Sequence, residues 1–161
     1  MSRPVPDGYH TLTPSFTFRD SRKAIEFYKK AFGAKVLDLL PNPSGPGVMH
    51  ATLQIGDSIL MMGDEIYGAS CKSAETLGAS PISLYLYVSD ADAVFKQAVA
   101  AGAAPGMPVT DMFWGDRAGQ VRDPFGYSWM IATHTSDLTP EQIRKGAEGF
   151  CAQIGKNNTG S

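Results

Sequence analysis

Apolar and polar residues alternate over residues 12–18, with Leu12, Pro14, Phe16 and Phe18 against Thr13, Ser15 and Thr17. A period of two marks a half-buried strand. The period then lengthens. Ala24, Ile25, Phe27, Tyr28, Ala31 and Phe32 form an i, i+3, i+4, i+7 stripe, which predicts a helix capped at Asp20 or Ser21 and stopped at Gly33. Short strands follow over 36–40, 48–55 and 58–62. A loop rich in Pro, Gly, Ser and Asn fills 41–47, and a tight Gly56-Asp57 turn joins the last two strands. Residues 63–81 show weak periodicity and read as a linker or loop.

The second half repeats the first. Ile82, Leu84, Leu86 and Val88 alternate with Ser83, Tyr85 and Tyr87. Ser89 or Asp90 caps a helix with Val94, Phe95, Ala98 and Val99 on its apolar side, and Gly102 stops it. Strands are predicted over 109–114, 119–122 and 127–132. Phe18-x-Asp20 with Gly33-Ala34 corresponds to Val88-x-Asp90 with Gly102-Ala103, and the turn into 58–62 corresponds to the turn into 127–131. A repeat of about 70 residues implies two similar modules. Module one spans about 11–63, a linker about 64–81 and module two about 82–134. A last helix over 139–154 starts at Thr139-Pro140-Glu141-Gln142, with a cap, a proline at the first helical position and a capping-box Gln. Its stripe is Ile143, Ala147, Phe150, Cys151 and Ile154, which should pack on the body or on a second subunit. The polar tail 156–161 is expected to fray.

Composition narrows the function classes. A chain of 161 residues, 43% hydrophobic and 19% charged, can build one real core. A net charge of −2 argues against a nucleic-acid partner, which needs a basic patch. The start has no apolar signal-like region, and no apolar run approaches the roughly 20 residues of a membrane span. Cys71 and Cys151 read as reduced thiols. A soluble, cytoplasmic protein with no membrane partner is expected.

Several segments resemble one known family. They are Phe27-Tyr28-Lys29-Lys30-Ala31-Phe32-Gly33-Ala34, His50-Ala51, Ile55-Gly56-Asp57-Ser58, Phe113-Trp114-Gly115-Asp116-Arg117 and Asp123-Pro124-Phe125-Gly126, with Trp129 and Ala132-Thr133-His134. Together they resemble the vicinal-oxygen-chelate superfamily of glyoxalase, bleomycin-resistance and dioxygenase proteins, in the branch also labelled demethylubiquinone-methyltransferase-like. The resemblance implies an α+β fold: two βαβββ modules whose curved mixed sheets enclose a cleft, with helices outside. It also implies a homodimer. In the metal enzymes of the family, cleft-facing residues of the first and fourth strands of each module hold a divalent ion. Metal-free members bind planar or hydrophobic compounds in the same cleft.

A divalent-ion site needs several His, Asp, Glu or Gln side chains converging on one point. The corresponding positions here fall near Thr13, Ser83, Met61 and Met130. None is a His or a carboxylate, so no metal and no cofactor is expected. His10, His50, His134, Asp64 and Asp116 are the remaining candidate ligands; a lone strand histidine is more often a hydrogen-bonded core or cleft residue, and His134 should lie on the surface.

The expected ligand-binding cleft comprises His50, Thr52, Met61, Ser83, Tyr85, Tyr87, Phe113, Trp114, Arg117 and Met130, with Thr13, Ser15 and Thr17 nearby. Two tyrosines on one strand face supply flat area with a hydroxyl at each edge, and methionines adapt to what they meet. Phe113 and Trp114 are equally readable as core. Asp116 and Arg117 read as a structural ion pair or turn, or Arg117 supplies a cation to an anionic ligand. Asp123-Pro124-Phe125-Gly126 reads as a turn. The branch often carries a Glu where this chain has Thr52 and a His where it has Tyr127, so an inherited acid–base role is in doubt. The reading is a metal-independent small-molecule-binding protein that sequesters an aromatic or amphipathic compound. The alternatives are a metal-dependent lyase, isomerase or dioxygenase using His50 and a non-standard ligand set, and a module whose dimer surface is its function.

Overall fold

A computed structural model describes residues 3–66 and 70–157, with side chains to residue 152 at the C-terminal end. The expected frayed tail falls largely outside these residues.

The first half runs β1 (Ser15–Phe18), α1 (Ser21–Phe32), β2 (Lys35–Pro41), β3 (Val48–Ile55) and β4 (Ser58–Asp64). A short α2 (Ala74–Leu77) interrupts the stretch read as a linker. Then come β5 (Ser83–Tyr87), α3 (Ala91–Ala101), β6 (Ala104–Pro105), β7 (Thr110–Asp111), β8 (Asp116–Arg122), β9 (Ser128–His134) and α4 (Pro140–Asn157). The strands form two open sheets, β1-β4-β3-β2 and β5-β9-β8-β6, with β7 also paired to β8. In both, the strand before the helix lies parallel to the last strand of its half.

Capping sets the helix of each half, α1 and α3. The Asp20 carboxylate accepts from the Lys23 N–H at 3.2 Å, and Asp90 accepts from the Ala93 N–H at 2.9 Å. Each satisfies a backbone donor that the first helical turn cannot. Gly33 (φ 66°) and Gly102 (φ 116°) end the helices in the left-handed region.

The helix-packed faces of the two sheets share one core. Phe16 of β1 stacks on Tyr127 with ring centroids 4.2 Å apart, and Phe18 meets Tyr28, Phe125 and Tyr127 edge-on. Hydrogen bonds cross between the halves, two of them at tyrosines of the core. Tyr28 O–H donates to Asp123 at 2.6 Å, and Tyr127 O–H donates to the Thr17 carbonyl at 2.7 Å. Asp123 also accepts from Trp129 Nε1 and from the Phe125 and Tyr127 N–H groups. The Asp-Pro-Phe-Gly turn is therefore also the polar centre of the core.

Three expected boundaries shift. The first strand starts at Ser15, and Leu12 is 87% exposed, so apolar alternation over 12–14 does not mean pairing. The strand expected over 109–114 shrinks to Thr110–Asp111. The chain turns back there, with Gly115 at φ 96° and its N–H bonded to the Met112 carbonyl. A side chain at Gly115 would meet the Ser136 carbonyl, which fixes glycine at that turn. The next strand accordingly starts earlier, at Asp116.

No helix among the described residues is long and apolar enough to cross a membrane. Cys71 and Cys151 are both free and exposed.

Candidate functional site

Each sheet packs one face on a helix and leaves the other open. On β5, Leu84 and Leu86 turn to the core, so Ser83, Tyr85 and Tyr87 lie on the open face. Strand register widens that face. Ser83 lies beside Ser128, Tyr85 beside Met130, and Met130 beside Gln120. Tyr85 and Tyr87 are 46% and 60% exposed, with ring centroids 5.2 Å apart. Exposed aromatic area of this kind offers stacking surface and two hydroxyl handles.

Asp116 closes one end of the face. It is 2% exposed and accepts three hydrogen bonds from side chains. Tyr87 O–H and Trp114 Nε1 donate to Oδ2, each at 3.0 Å, and His134 Nδ1 donates to Oδ1 at 2.8 Å. Burial pushes the Asp116 carboxyl up, but the bonds from His134, Tyr87 and Trp114 outweigh it and hold the group below the ordinary range. Asp116 and then Asp137, 3.0 Å from Nε2, pull the His134 pKa up. Burial first, and the bond to Asp116 second, raise the Tyr87 pKa. The cluster thus favours the protonated imidazole and the neutral phenol, and it orients the Tyr87 hydroxyl by its bond to Asp116.

The open face of the first sheet is more polar. Thr52 pairs with Met61, and Met61 with Ser15. His50 Nε2 lies 3.1 Å from Thr52 Oγ1, and the Tyr9 hydroxyl lies 3.3 Å from the same oxygen. Thr52 is 4% exposed. At the seam of the two sheets, a cavity of about 450 Å³ is lined by Thr13, Pro14, Ile59, Leu60, Tyr85 and Tyr87.

The structure therefore gathers Ser83, Tyr85, Tyr87 and Met130 on one open face, with Trp114 at its end, and His50, Thr52 and Met61 on the other. Two expected residues lie elsewhere. Arg117 donates to both Asp92 carboxylate oxygens at 2.6 and 2.9 Å and to Asp111 at 3.1 Å. Alternation along β8 places Asp116 and Ala118 on the open face, so Arg117 turns to α3 instead. Its structural ion pairs, first with Asp92, raise its pKa, and it supplies no cation to the cleft. Phe113 packs on α4, its ring centroid 5.5 Å from that of Phe150. Sequence reasoning missed Tyr9, which lies outside any periodic segment, and missed the union of Asp116 with His134. Both stood in the sequence as candidate ligands, but their pairing across β8 and β9 needed the register.

A divalent ion does not fit the strand positions that hold it in the enzymes the sequence resembles. Register puts Ser15, rather than Thr13, beside Met61, and Tyr85, rather than Ser83, beside Met130. Hydroxyls and thioethers are a poor donor set for nickel, zinc, iron or manganese. Among the described residues, no three His, Cys, Asp or Glu side chains are grouped as a metal site.

Comparison with known proteins agrees with this architecture. Residues 10–131 match the family model of the Glyoxalase/Bleomycin resistance protein/Dioxygenase superfamily. Uncharacterized protein Rv0887c of Mycobacterium tuberculosis is 35% identical over 136 residues, 83% of this chain and 79% of its own. TioX from Micromonospora sp. ML1 is 30% identical, with a TM-score of 0.61 over 78% of this chain and 98% of its own. The product of Arabidopsis thaliana AT5G48480 is 26% identical, with a TM-score of 0.63 over 77% and 98%.

Proposed function

The chain belongs to the Glyoxalase/Bleomycin resistance protein/Dioxygenase superfamily, and from that membership we propose that it is a metal-independent small-molecule-binding protein. Its ligand is an aromatic or amphipathic compound, held on the open sheet faces and thereby sequestered in the cytoplasm. The observation that carries this reading is the exposed Tyr85–Tyr87 pair, anchored at its end by Asp116. Rings that are fixed before a ligand arrives lose little freedom on binding. The thioether of Met130, beside Tyr85, adds an adaptable apolar contact.

A second copy of the chain completes the site. Leu37, Leu40 and Met49 on β2 and β3 are 54%, 49% and 43% exposed. Covering such apolar area contributes about 25 cal/mol per Å² removed from water, which supports a homodimer. The competing reading, a metal-dependent lyase, isomerase or dioxygenase, needs a ligand set that Ser15, Met61, Tyr85 and Met130 do not supply.

A panel of planar aromatic compounds, screened by ligand-induced rise in melting temperature, tests the proposal. At least one compound should stabilise the protein, and Tyr85→Ala should abolish that rise. A panel that stabilises neither protein would defeat the reading.

A further inference from the structure

The N-terminal segment carries a phenol onto the open face of the first sheet. Residues 6–9 form a turn closed by the Tyr9 N–H on the Pro6 carbonyl at 3.1 Å, with Gly8 at φ 82°. The turn brings the Tyr9 hydroxyl to 3.3 Å from Thr52 Oγ1, which is itself 3.1 Å from His50 Nε2. Tyr9 O–H donates to Thr52 and Thr52 donates to His50, or the chain of bonds runs in the opposite sense with the other imidazole tautomer.

That bond is also the one hydrogen bond from residues 3–13 to the rest of the chain, among the described residues; the others in the segment are internal. Residues 3–8 and 10–12 are exposed, and only Tyr9 among them is half-buried. Segments with few buried contacts and few hydrogen bonds open at low cost. The family match begins at residue 10, so Tyr9 lies outside it.

We propose that Thr52 and His50 form a seat for the hydroxyl of a hydroxyaromatic ligand, and that Tyr9 occupies this seat in the free protein as a tethered competitor. The inference rests on the reading of the open faces as a ligand-binding cleft. A phenolic hydroxyl both donates and accepts, as do Thr52 and a neutral imidazole, so it completes the chain of bonds in either sense. The geometry of Tyr9 shows that a phenol reaches Thr52 from the open side. A short flexible tether holds its end group at an effective concentration in the millimolar range. A ligand must exceed that weak competition to enter, and loss of the tethered ring makes entry easier.

The probe is p-cresol, the side chain of tyrosine as a free molecule. Its binding is measured by calorimetry and by NMR of the His50 imidazole in wild type, in Tyr9→Ala and in Tyr9→Ala with Thr52→Val. Tyr9→Ala should bind p-cresol roughly tenfold more tightly than wild type, with the His50 resonances shifting on binding. Thr52→Val in that background should remove the gain, and toluene should not reproduce it. Equal affinity in wild type and Tyr9→Ala overturns the proposal, as does a gain that leaves His50 unmoved. Deletion of residues 1–11 should give the same gain as Tyr9→Ala. The Tyr85→Ala panel result reports on the general binding reading, so failure of one proposal is distinguishable from failure of the other.

Discussion

The Tyr87 hydroxyl donates to Asp116 Oδ2 at 3.0 Å, and this bond ties the edge strand β5 to the first residue of β8. The two residues come from opposite edges of the strand that separates them, β9. Their bond fixes a half-exposed tyrosine ring that would otherwise move freely at a sheet edge. Trp114 and His134 converge on the same carboxylate, so one buried group orients three side chains at the end of the open face.

Asp116→Asn should therefore loosen the whole cluster. An amide offers one oxygen where three donors now share two, and its own N–H groups face a donor. Stability should fall by about 1–3 kcal/mol in denaturant unfolding. The His134 titration midpoint, followed by NMR, should drop toward its ordinary 6.5. An unchanged midpoint would mean that Asp116 does not set it.

The same pair makes stability depend on pH. The folded pKa of His134 lies above 6.5, raised first by Asp116 and then by Asp137. The folded protein thus binds this proton more tightly than the unfolded chain does. The stabilisation is complete below about pH 6.5 and fades as pH rises through the folded value. Thermal unfolding of wild type and His134→Gln, compared from about pH 5 to about pH 9, should show a gap at the acid end that narrows toward the alkaline end.

Asp123→Ala should be among the most damaging substitutions. The carboxylate is 3% exposed and accepts from Tyr28, Trp129 and two backbone N–H groups. Removing it leaves those donors buried without partners and separates α1 from the turn before β9. A loss of roughly 3 kcal/mol or more is expected in chemical unfolding. Asp123→Asn, which keeps one acceptor oxygen, should lose less.

Gly119→Ala tests how closely α3 approaches β8. A methyl group there would lie 2.8 Å from Val109 Cγ2, 2.9 Å from the Val109 nitrogen and 3.0 Å from the Phe95 ring. Backbone on one side and a packed ring on the other leave little room to yield. Overpacking of this kind costs about 1–3 kcal/mol, and the melting temperature should fall accordingly.

Most of the fold was legible in the sequence because its signals are local. Asp20 with Gly33, and Asp90 with Gly102, mark α1 and α3 by capping chemistry alone. Alternation in 83–87 correctly places Tyr85 and Tyr87 away from the core. What depends on register was not legible. Arg117 follows Asp116 in a motif that resembles the family, yet strand alternation turns the two to opposite faces. The run 109–114 has strand-like residues, but the turn at Gly115 takes Phe113 and Trp114 out of the ladder. Tyr9 carries no periodic signal, and only the folded chain brings it to Thr52.

Under the proposed function, an aromatic compound binds the open faces without a metal. Calorimetric titration of the best compound from the panel, into protein treated with a chelator and into protein refilled with zinc, nickel, manganese or iron(II), tests it most directly. The same affinity is expected in every preparation, with a loss of roughly tenfold or more in Tyr85→Ala. Binding that disappears with the chelator and returns with one metal would contradict it.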